Sequence, residues 1–464
     1  MGTDEERPNR EAGRMDTGAV RTDGEGDATR RSGDREGRAA QASAPEVRYG
    51  LLGRTLGHSW SPRIHERLGS TPYQLVELEP SQLGAYVRDR GWEGLNVTIP
   101  YKRDVIALCD ELAPAARRLS AVNTLVRGEG GLVCGDNTDL FGFSWLLRRF
   151  CERHLGGEGA LRGAEVLVLG SGGASHAVVG ALEDAGARAC VISRRGDDTY
   201  DTLAERHADA RLVVNATPVG MYPNCPASPL PEGTLERLGR LAGVLDVVYN
   251  PERTGICLEA ERLGLPAESG LAMLVAQAWR SSELWQGRAL DESLVDAIEA
   301  EIRSETRNVV LIGMPGSGKT TCGRELGRLL GRESVDLDQA FSRRFGRGAA
   351  EVIEREGEET FRAMETEVLA EHARRSGLVI SCGGGVVTRP ENLALARQNG
   401  TVVMLDRPLE QLSSRGRPLS RARGVAALAE ERMPLYRAWA DLVQPCTGSA
   451  RGDAQAIARA LGLR

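Results

Sequence analysis

The sequence predicts an α/β protein of more than one domain, and three observations carry that reading. From Val47 onward, short apolar strands alternate with amphipathic helices, the pattern of layered sheets and helices. Two of the strands, EVLVL and NVVLI, run straight into glycine-rich turns that open helices. Between them the helical stretch LDESLVDAIEAEIRSE ends near residue 305 and a new buried strand begins, so a domain boundary is expected at about 303–307. The 464 residues suffice for two or three domains, each with a large core.

Residues 1–46 are different in kind. They are charged, rich in glycine and almost free of large apolar groups, so they bury too little to offset their ordering entropy and are expected to be disordered. They lack the apolar centre of a signal peptide, and Met15 is an alternative start. The net charge of −6 is mild, so no nucleic-acid partner is expected. No apolar run approaches the roughly 18 residues that span a bilayer, so no membrane partner is expected either. Nine cysteines show no C-x-x-C pair and six histidines no H-E-x-x-H, which reads as free thiols in a reducing cytoplasm without a Cys/His metal centre.

In chain order, GHSWSPRIH places Ser59 and Ser61 before a helix that Pro62 starts, with Ser61 a candidate cap. LNVTIP then reads as a strand whose end carries Thr98, and YKRDVIALCDEL as the helix that Lys102 opens. Open α/β sheets build their clefts at such strand ends. AVNTLV and GDNTDLFGF add Asn123 and Asp139 at another strand-to-helix corner. The chain contains only two lysines, Lys102 and Lys319, among 59 basic residues. A lysine can be tuned for proton transfer, whereas a guanidinium keeps its proton, so the two positions call for a chemical reason.

EVLVLGSGGASHAVVGALEDAGARACVISRR reads as strand, glycine turn, helix and strand, a dinucleotide-binding unit of Rossmann type. Gly170, Gly172 and Gly173 let the backbone approach a pyrophosphate at the helix N-terminus. The second strand ends in Ser193, Arg194 and Arg195 rather than an acidic residue, which suits a 2′-phosphate and therefore NADP. RLVVNATPVGM and VLDVVYNP supply two further strands.

Taken together, GHSWSP, GLNVTIPYK, AVNTL, GDNTD, GSGGAS, NATPVGM, DVVYNP and ESGLAMLVAQ resemble shikimate dehydrogenase over residues 47 to about 290. The resemblance implies a substrate domain over 47–146, an NADP-binding domain over 147–269 and helices returning to the substrate domain over 270–303. It also implies that Ser59, Ser61, Thr98, Asn123, Tyr249 and Gln277 hold the substrate, that Lys102 and Asp139 form the catalytic pair, and that Ala174 and Gly270 join the cofactor site. NADPH would deliver hydride to 3-dehydroshikimate while Lys102 donates the proton. Two departures stand out: Trp60 where the family usually has lysine, expected to narrow the pocket mouth, and Leu140 in place of a common glycine.

LIGMPGSGKTT is a strand followed by G-x-x-x-x-G-K-T, a P-loop. Gly313, Gly316, Ser317, Gly318 and Thr321 belong to the phosphate cradle, Lys319 reaches the β/γ-phosphates, and the Thr320 hydroxyl binds Mg²⁺. VDLDQ sets Asp336 and Asp338 two apart, on one face of a strand end, one for Mg²⁺ and one for an acceptor hydroxyl. GEETFRAMETEVL puts Arg362 and Glu365 on adjacent turns of a helix, and VISCGGGVV offers glycines for close approach to a small ligand.

DLD, GExxFRxxE, CGGG, GRPL and ERMPLY resemble shikimate kinase over about residues 307–464, with its P-loop α/β domain and parallel sheet expected over 304–464. The resemblance implies that Asp338, Arg362, Gly384 and Arg432 hold shikimate and that Arg417 closes over the phosphates from a mobile lid. Gln339, Ala340 and Phe341 stand where the family often has a glutamate. The expectation is thus a cytoplasmic bifunctional enzyme, monomer or homodimer, acting on 3-dehydroshikimate and shikimate with NADPH, ATP and Mg²⁺. Quinate activity in the first half, another acceptor in the second, and a metabolite-sensing regulator remain the alternatives. The halves are expected to fold separately on either side of the polar joint EIRSETRN.

Overall fold

Three sheets order the chain in this computed structural model, which describes residues 48–463 apart from 58, 90, 196 and 413–423. The first comprises β1 (Tyr49–Gly53), β2 (Tyr73–Glu77), β3 (Gly94–Val97), β4 (Glu111–Leu112), β5 (Thr124–Arg127) and β6 (Val133–Asp136), in the order β2-β1-β3-β5-β6-β4. It is mixed, because β1 lies parallel to β2 and β3 while β5 runs antiparallel to β3 and β6.

The second sheet is wholly parallel: β7 (Glu165–Leu169), β8 (Arg188–Ile192), β9 (Leu212–Asn215), β10 (Val244–Asp246) and β11 (Ala267–Glu268), ordered β11-β10-β9-β7-β8. The third is parallel too, with β12 (Asn308–Ile312) central, β13 (Ser334–Asp336) and β14 (Val379–Ser381) on one side, and β15 (Gly400–Asp406) and β16 (Leu442–Pro445) on the other. Strands of such sheets are covered on both faces, which is why VLVL and NVVLI are continuous apolar runs instead of alternations.

Two helices hold the first two sheets together. Helix Thr138–Phe150 packs along helix Leu271–Gln286, and Phe143, Leu146, Phe150, Ala272, Val275 and Ala276 share one buried cluster. Gly142 permits this approach, since a Cβ there would sit 2.6 Å from the Met273 carbonyl oxygen. Any larger residue would push the helices apart and open the corner that carries Asp139. Helix Ser293–Thr306 buries Val295, Ile298 and Ile302 against the same cluster and leads directly into β12.

Some local expectations differ from the structure. YKRDVIALCDEL is a turn and a 3₁₀ segment, Asp104–Leu108, not an α-helix. Trp60, not Ser61, occupies the cap position of helix Ser61–Arg67. Asp338 lies in the first turn of helix Leu337–Phe345, so it does not share a strand face with Asp336.

The joint near 305 is polar, as expected, but it is no bare linker. Glu252 accepts ion pairs from Arg303 and Arg307, and its backbone N–H donates to Asn399 Oδ1 at 2.8 Å. Arg253 donates from its backbone to the Gln398 carbonyl and from its guanidinium to that of Gly400, each at 2.9 Å. Burial alone would raise the Glu252 carboxyl, but Arg307 first, with Arg253 and Arg303, holds it below its usual value. The described residues from Arg48 onward accordingly pack as one compact unit.

Candidate active sites

The first site forms where the first sheet meets the Thr138–Phe150 corner. Asn137 caps that helix, accepting from the Asp139 N–H at 3.1 Å, so the Asp139 carboxylate is released from capping and turns outward. It meets Lys102 Nζ at 2.6 Å, while Asn123 Nδ2 donates to its other oxygen at 2.9 Å. Position in the first helical turn also suits a carboxylate, because the backbone dipole is positive there. Asn123 is fixed in turn: its Oδ1 accepts from Thr138 N at 2.7 Å, and Gln277 Oε1 lies 3.4 Å from its Nδ2.

A cavity of about 240 Å³ surrounds this pair. Ser59, Ser61, Thr98, Lys102, Asn123, Asp139, Ala174, Tyr249, Gly270 and Gln277 all line it, so the residues singled out from sequence for the pocket converge. Asn96, Met273 and Leu274 line it as well and were missed. Asn96 had a signal, since it lies two residues before Thr98 and so on the same face of the extended chain. Its Nδ2 donates to Ser281 Oγ at 2.9 Å and its Oδ1 accepts from Tyr73 at 2.9 Å. Trp60 departs from expectation: it lines a separate small cavity with Tyr249, Glu252, Ser376 and Asn399, between the first part of the chain and the third sheet.

The glycine turn follows β7 and opens helix Gly173–Asp184. A Cβ on Gly172 or Gly173 would meet nothing within 4 Å, so space lies over the helix N-terminus. Ser171, Ser175 and His176 line a cleft of about 650 Å³ beside it. Arg194 and Arg195 are exposed just past β8, and the Ser193 hydroxyl bonds the Arg195 carbonyl.

The second site lies over the carboxyl ends of β12, β13 and β14, in a cavity of about 760 Å³. Gly316, Gly318, Lys319, Thr320, Thr321, Asp336, Asp338, Arg362, Gly384 and Arg432 line it. Gly313 and the buried Ser317 belong to the same loop, and Lys319 Nζ folds back on the Gly313 and Met314 carbonyls at 2.8 and 3.0 Å. Thr320 Oγ1 donates to Asp336 Oδ2 at 2.6 Å. Arg362 pairs with Glu365 at 2.7 Å and Glu358 at 3.1 Å, and Arg432 donates to the Gly384 carbonyl at 3.1 Å.

Burial raises the Glu365 carboxyl against the pull of Arg362. The glycines of CGGG serve these side chains as much as a ligand: a Cβ on Gly385 would fall 2.1 Å from the Arg362 guanidinium carbon. Arg417 and the expected lid lie outside the described residues.

Known proteins divide along the same line. The family model "Shikimate dehydrogenase substrate binding domain" matches residues 51–125, and "Shikimate kinase" matches 315–461. Shikimate dehydrogenase (NADP(+)) of Methanopyrus kandleri is 38% identical over 288 residues, covering 56% of this chain and 95% of that protein. The protein of the same name from Clostridium beijerinckii is 32% identical over 278 residues, covering 55% of this chain and 98% of its own length. A chorismate mutase/shikimate 5-dehydrogenase fusion protein from Clostridium acetobutylicum has a solved structure that is 33% identical, with a TM-score of 0.51, covering 56% of this chain and 98% of that one. The chain therefore belongs to the shikimate dehydrogenase family in its first part and continues into a shikimate kinase domain, which makes it an enzyme of shikimate metabolism.

Proposed function

We propose that one chain carries out two consecutive reactions, NADPH-dependent reduction of 3-dehydroshikimate to shikimate and ATP-dependent phosphorylation of shikimate to shikimate 3-phosphate. The observation that carries this reading is the placement of the two side-chain amines. Lys102 and Lys319 each line a separate cavity, Lys102 paired with Asp139 and Lys319 at the head of its glycine loop.

In the first cavity Lys102 stabilises the charge growing on the ketone oxygen and donates a proton to it, and Asp139 holds the ammonium in place. Ser59, Ser61, Thr98, Asn123, Tyr249 and Gln277 orient the substrate's carboxylate and hydroxyls. The open space over Gly172 and Gly173 fits a pyrophosphate, and Arg194 and Arg195 fit a 2′-phosphate; bound NADPH supplies the hydride.

In the second cavity Asp338 takes the proton of the attacking hydroxyl, Arg362 and Arg432 hold the acceptor's carboxylate, and Lys319 leaves its loop carbonyls for the β/γ-phosphates. Thr320 Oγ1 and Asp336 Oδ2 form a pair of hard oxygen ligands that fits Mg²⁺, which would neutralise phosphate charge. The test is sequential. Purified protein is given 3-dehydroshikimate and NADPH, then ATP and Mg²⁺, while NADPH loss and ADP release are followed. ADP that appears only after NADPH is consumed supports both steps on one chain. Absence of NADPH loss removes the first half of the reading, and absence of ADP when shikimate itself is supplied removes the second.

A further inference from the structure

Outside both cavities, Cys190 of β8, Asp198 of the following loop and His207 bring three ligand-type atoms together. Cys190 Sγ lies 3.5 Å from Asp198 Oδ2 and 3.5 Å from His207 Nε2, and that nitrogen lies 3.1 Å from Asp198 Oδ1. A tetrahedral zinc ion with bonds of ~2.3 Å to sulfur and ~2.0 Å to nitrogen and oxygen separates its ligand atoms by ~3.3–3.6 Å. The sulfur–nitrogen separation matches an edge of that tetrahedron, and each of the two Asp198 oxygens lies about one edge from one of these atoms, Oδ2 from the sulfur and Oδ1 from the nitrogen.

The ring orientation points the same way. His207 Nδ1 lies 2.8 Å from Glu165 Oε1, so with Nδ1–H donated to that carboxylate, Nε2 faces Asp198 Oδ1 either through a second proton or across a metal ion. A lone pair facing a carboxylate oxygen is repulsive unless a positive charge lies between them. A carboxylate behind the far nitrogen is also the usual support of a metal-bound histidine. Arg206 reaches Asp198 at 2.9 Å, but its side chain is 49% exposed and swings into water at small cost. Arg188 approaches only the outer oxygen of Glu165, at 3.5 Å.

We infer that Cys190, Asp198 and His207 form a binding site for a zinc-class divalent ion, with Glu165 as the positioning residue behind His207. Binding takes the proton from the Cys190 thiol and releases it to solvent, leaving a thiolate–metal bond, with water in the fourth position. The site ties β8 to the loop that follows. Ser193 N–H donates to the Asp198 carbonyl at 3.1 Å, so metal at Asp198 fastens Ser193 and with it the adjoining Arg194 and Arg195.

The test uses the full chain, freed of metal and kept reduced, titrated with Co²⁺ and then Zn²⁺. One equivalent of Co²⁺ should give the near-ultraviolet thiolate charge-transfer band and the visible bands of a tetrahedral ion, both erased by Zn²⁺. Cys190→Ser should remove the charge-transfer band, and His207→Gln should weaken binding at least tenfold. Glu165→Gln should weaken it by about tenfold or more. Arg206→Ala should tighten it, a result that a merely structural hydrogen-bond cluster does not produce. Amide exchange of residues 193–199 should slow on loading. Absence of the band in the folded wild-type chain would overturn the proposal, as would the same band in Cys190→Ser. So would a His207 ring that NMR shows protonated on both nitrogens with excess Zn²⁺ present, because the proton would then be the bridging charge.

Discussion

On the proposed reading the kind of cation at position 102 decides the chemistry. Arginine would keep a positive charge near Asp139 but cannot release its proton, so Lys102→Arg should retain the fold and lose ketone reduction. The check is a pair of assays on one preparation: reduction should fall more than tenfold, with phosphorylation of added shikimate unchanged. A variant that keeps a tenth of the reduction rate ends the proton-donor role. On the proposed reading cofactor choice rests on Arg194 and Arg195, both exposed, so neutral replacements should not disturb folding. Their joint replacement should raise the KM for NADPH by tenfold or more while that for NADH changes little, since only NADPH has a 2′-phosphate. Equal changes for both cofactors would make the arginines structural.

At the scale of elements, Asp246 ends β10 and ties it to its neighbour β9. Both its oxygens accept from Asn215 at 3.0 Å, and Thr254 and the Val248 N–H complete the shell. Burial pushes this carboxyl up to about 7, against the pull of those donors. The unfolded chain releases the proton near 3.8. The folded state thus binds an extra proton in between, and the stability that proton contributes is present below about 4 and lost as pH rises through about 7. The Tm of wild type relative to that of Asp246→Asn should therefore fall from pH 4 to 7, read by thermal melts; a difference independent of pH would place the carboxyl in its ordinary range.

The strands were legible because buried parallel strands leave unbroken apolar runs, and the pockets because their residues lie at strand ends. The 3₁₀ segment Asp104–Leu108 was not, since apolar spacing does not separate tight from ordinary helical turns. Nor was the Cys190 cluster, whose members come from a strand, a loop and a helix end, without the close spacing that marks a metal motif. Trp60 was misplaced because its neighbours Ser376 and Asn399 are more than 300 residues away in sequence.

At the scale of the whole molecule, the contacts across the joint are charged and hydrogen-bonded, so water can replace them once the parts separate. Fragments 47–303 and 305–464 should each fold and keep a KM within several-fold of the intact chain, as steady-state kinetics on separate and mixed fragments will read. Glu252→Ala in the intact chain is the harsher change. It leaves Arg303 and Arg307 partly buried without their shared carboxylate and should destabilise by about 2 kcal/mol, discounted for their partial exposure. An unaltered melting curve would mean the ion pairs are energetically silent.

The scarcity of lysine has one more consequence. Both side-chain amines of the sequence lie inside the two candidate site cavities. Reductive ¹³C-methylation would therefore place one NMR reporter in each pocket with no engineering. Equally, a metabolite carrying a reactive acyl group would find no harmless surface lysine to absorb it, and any side-chain amide would form on Lys102 or Lys319.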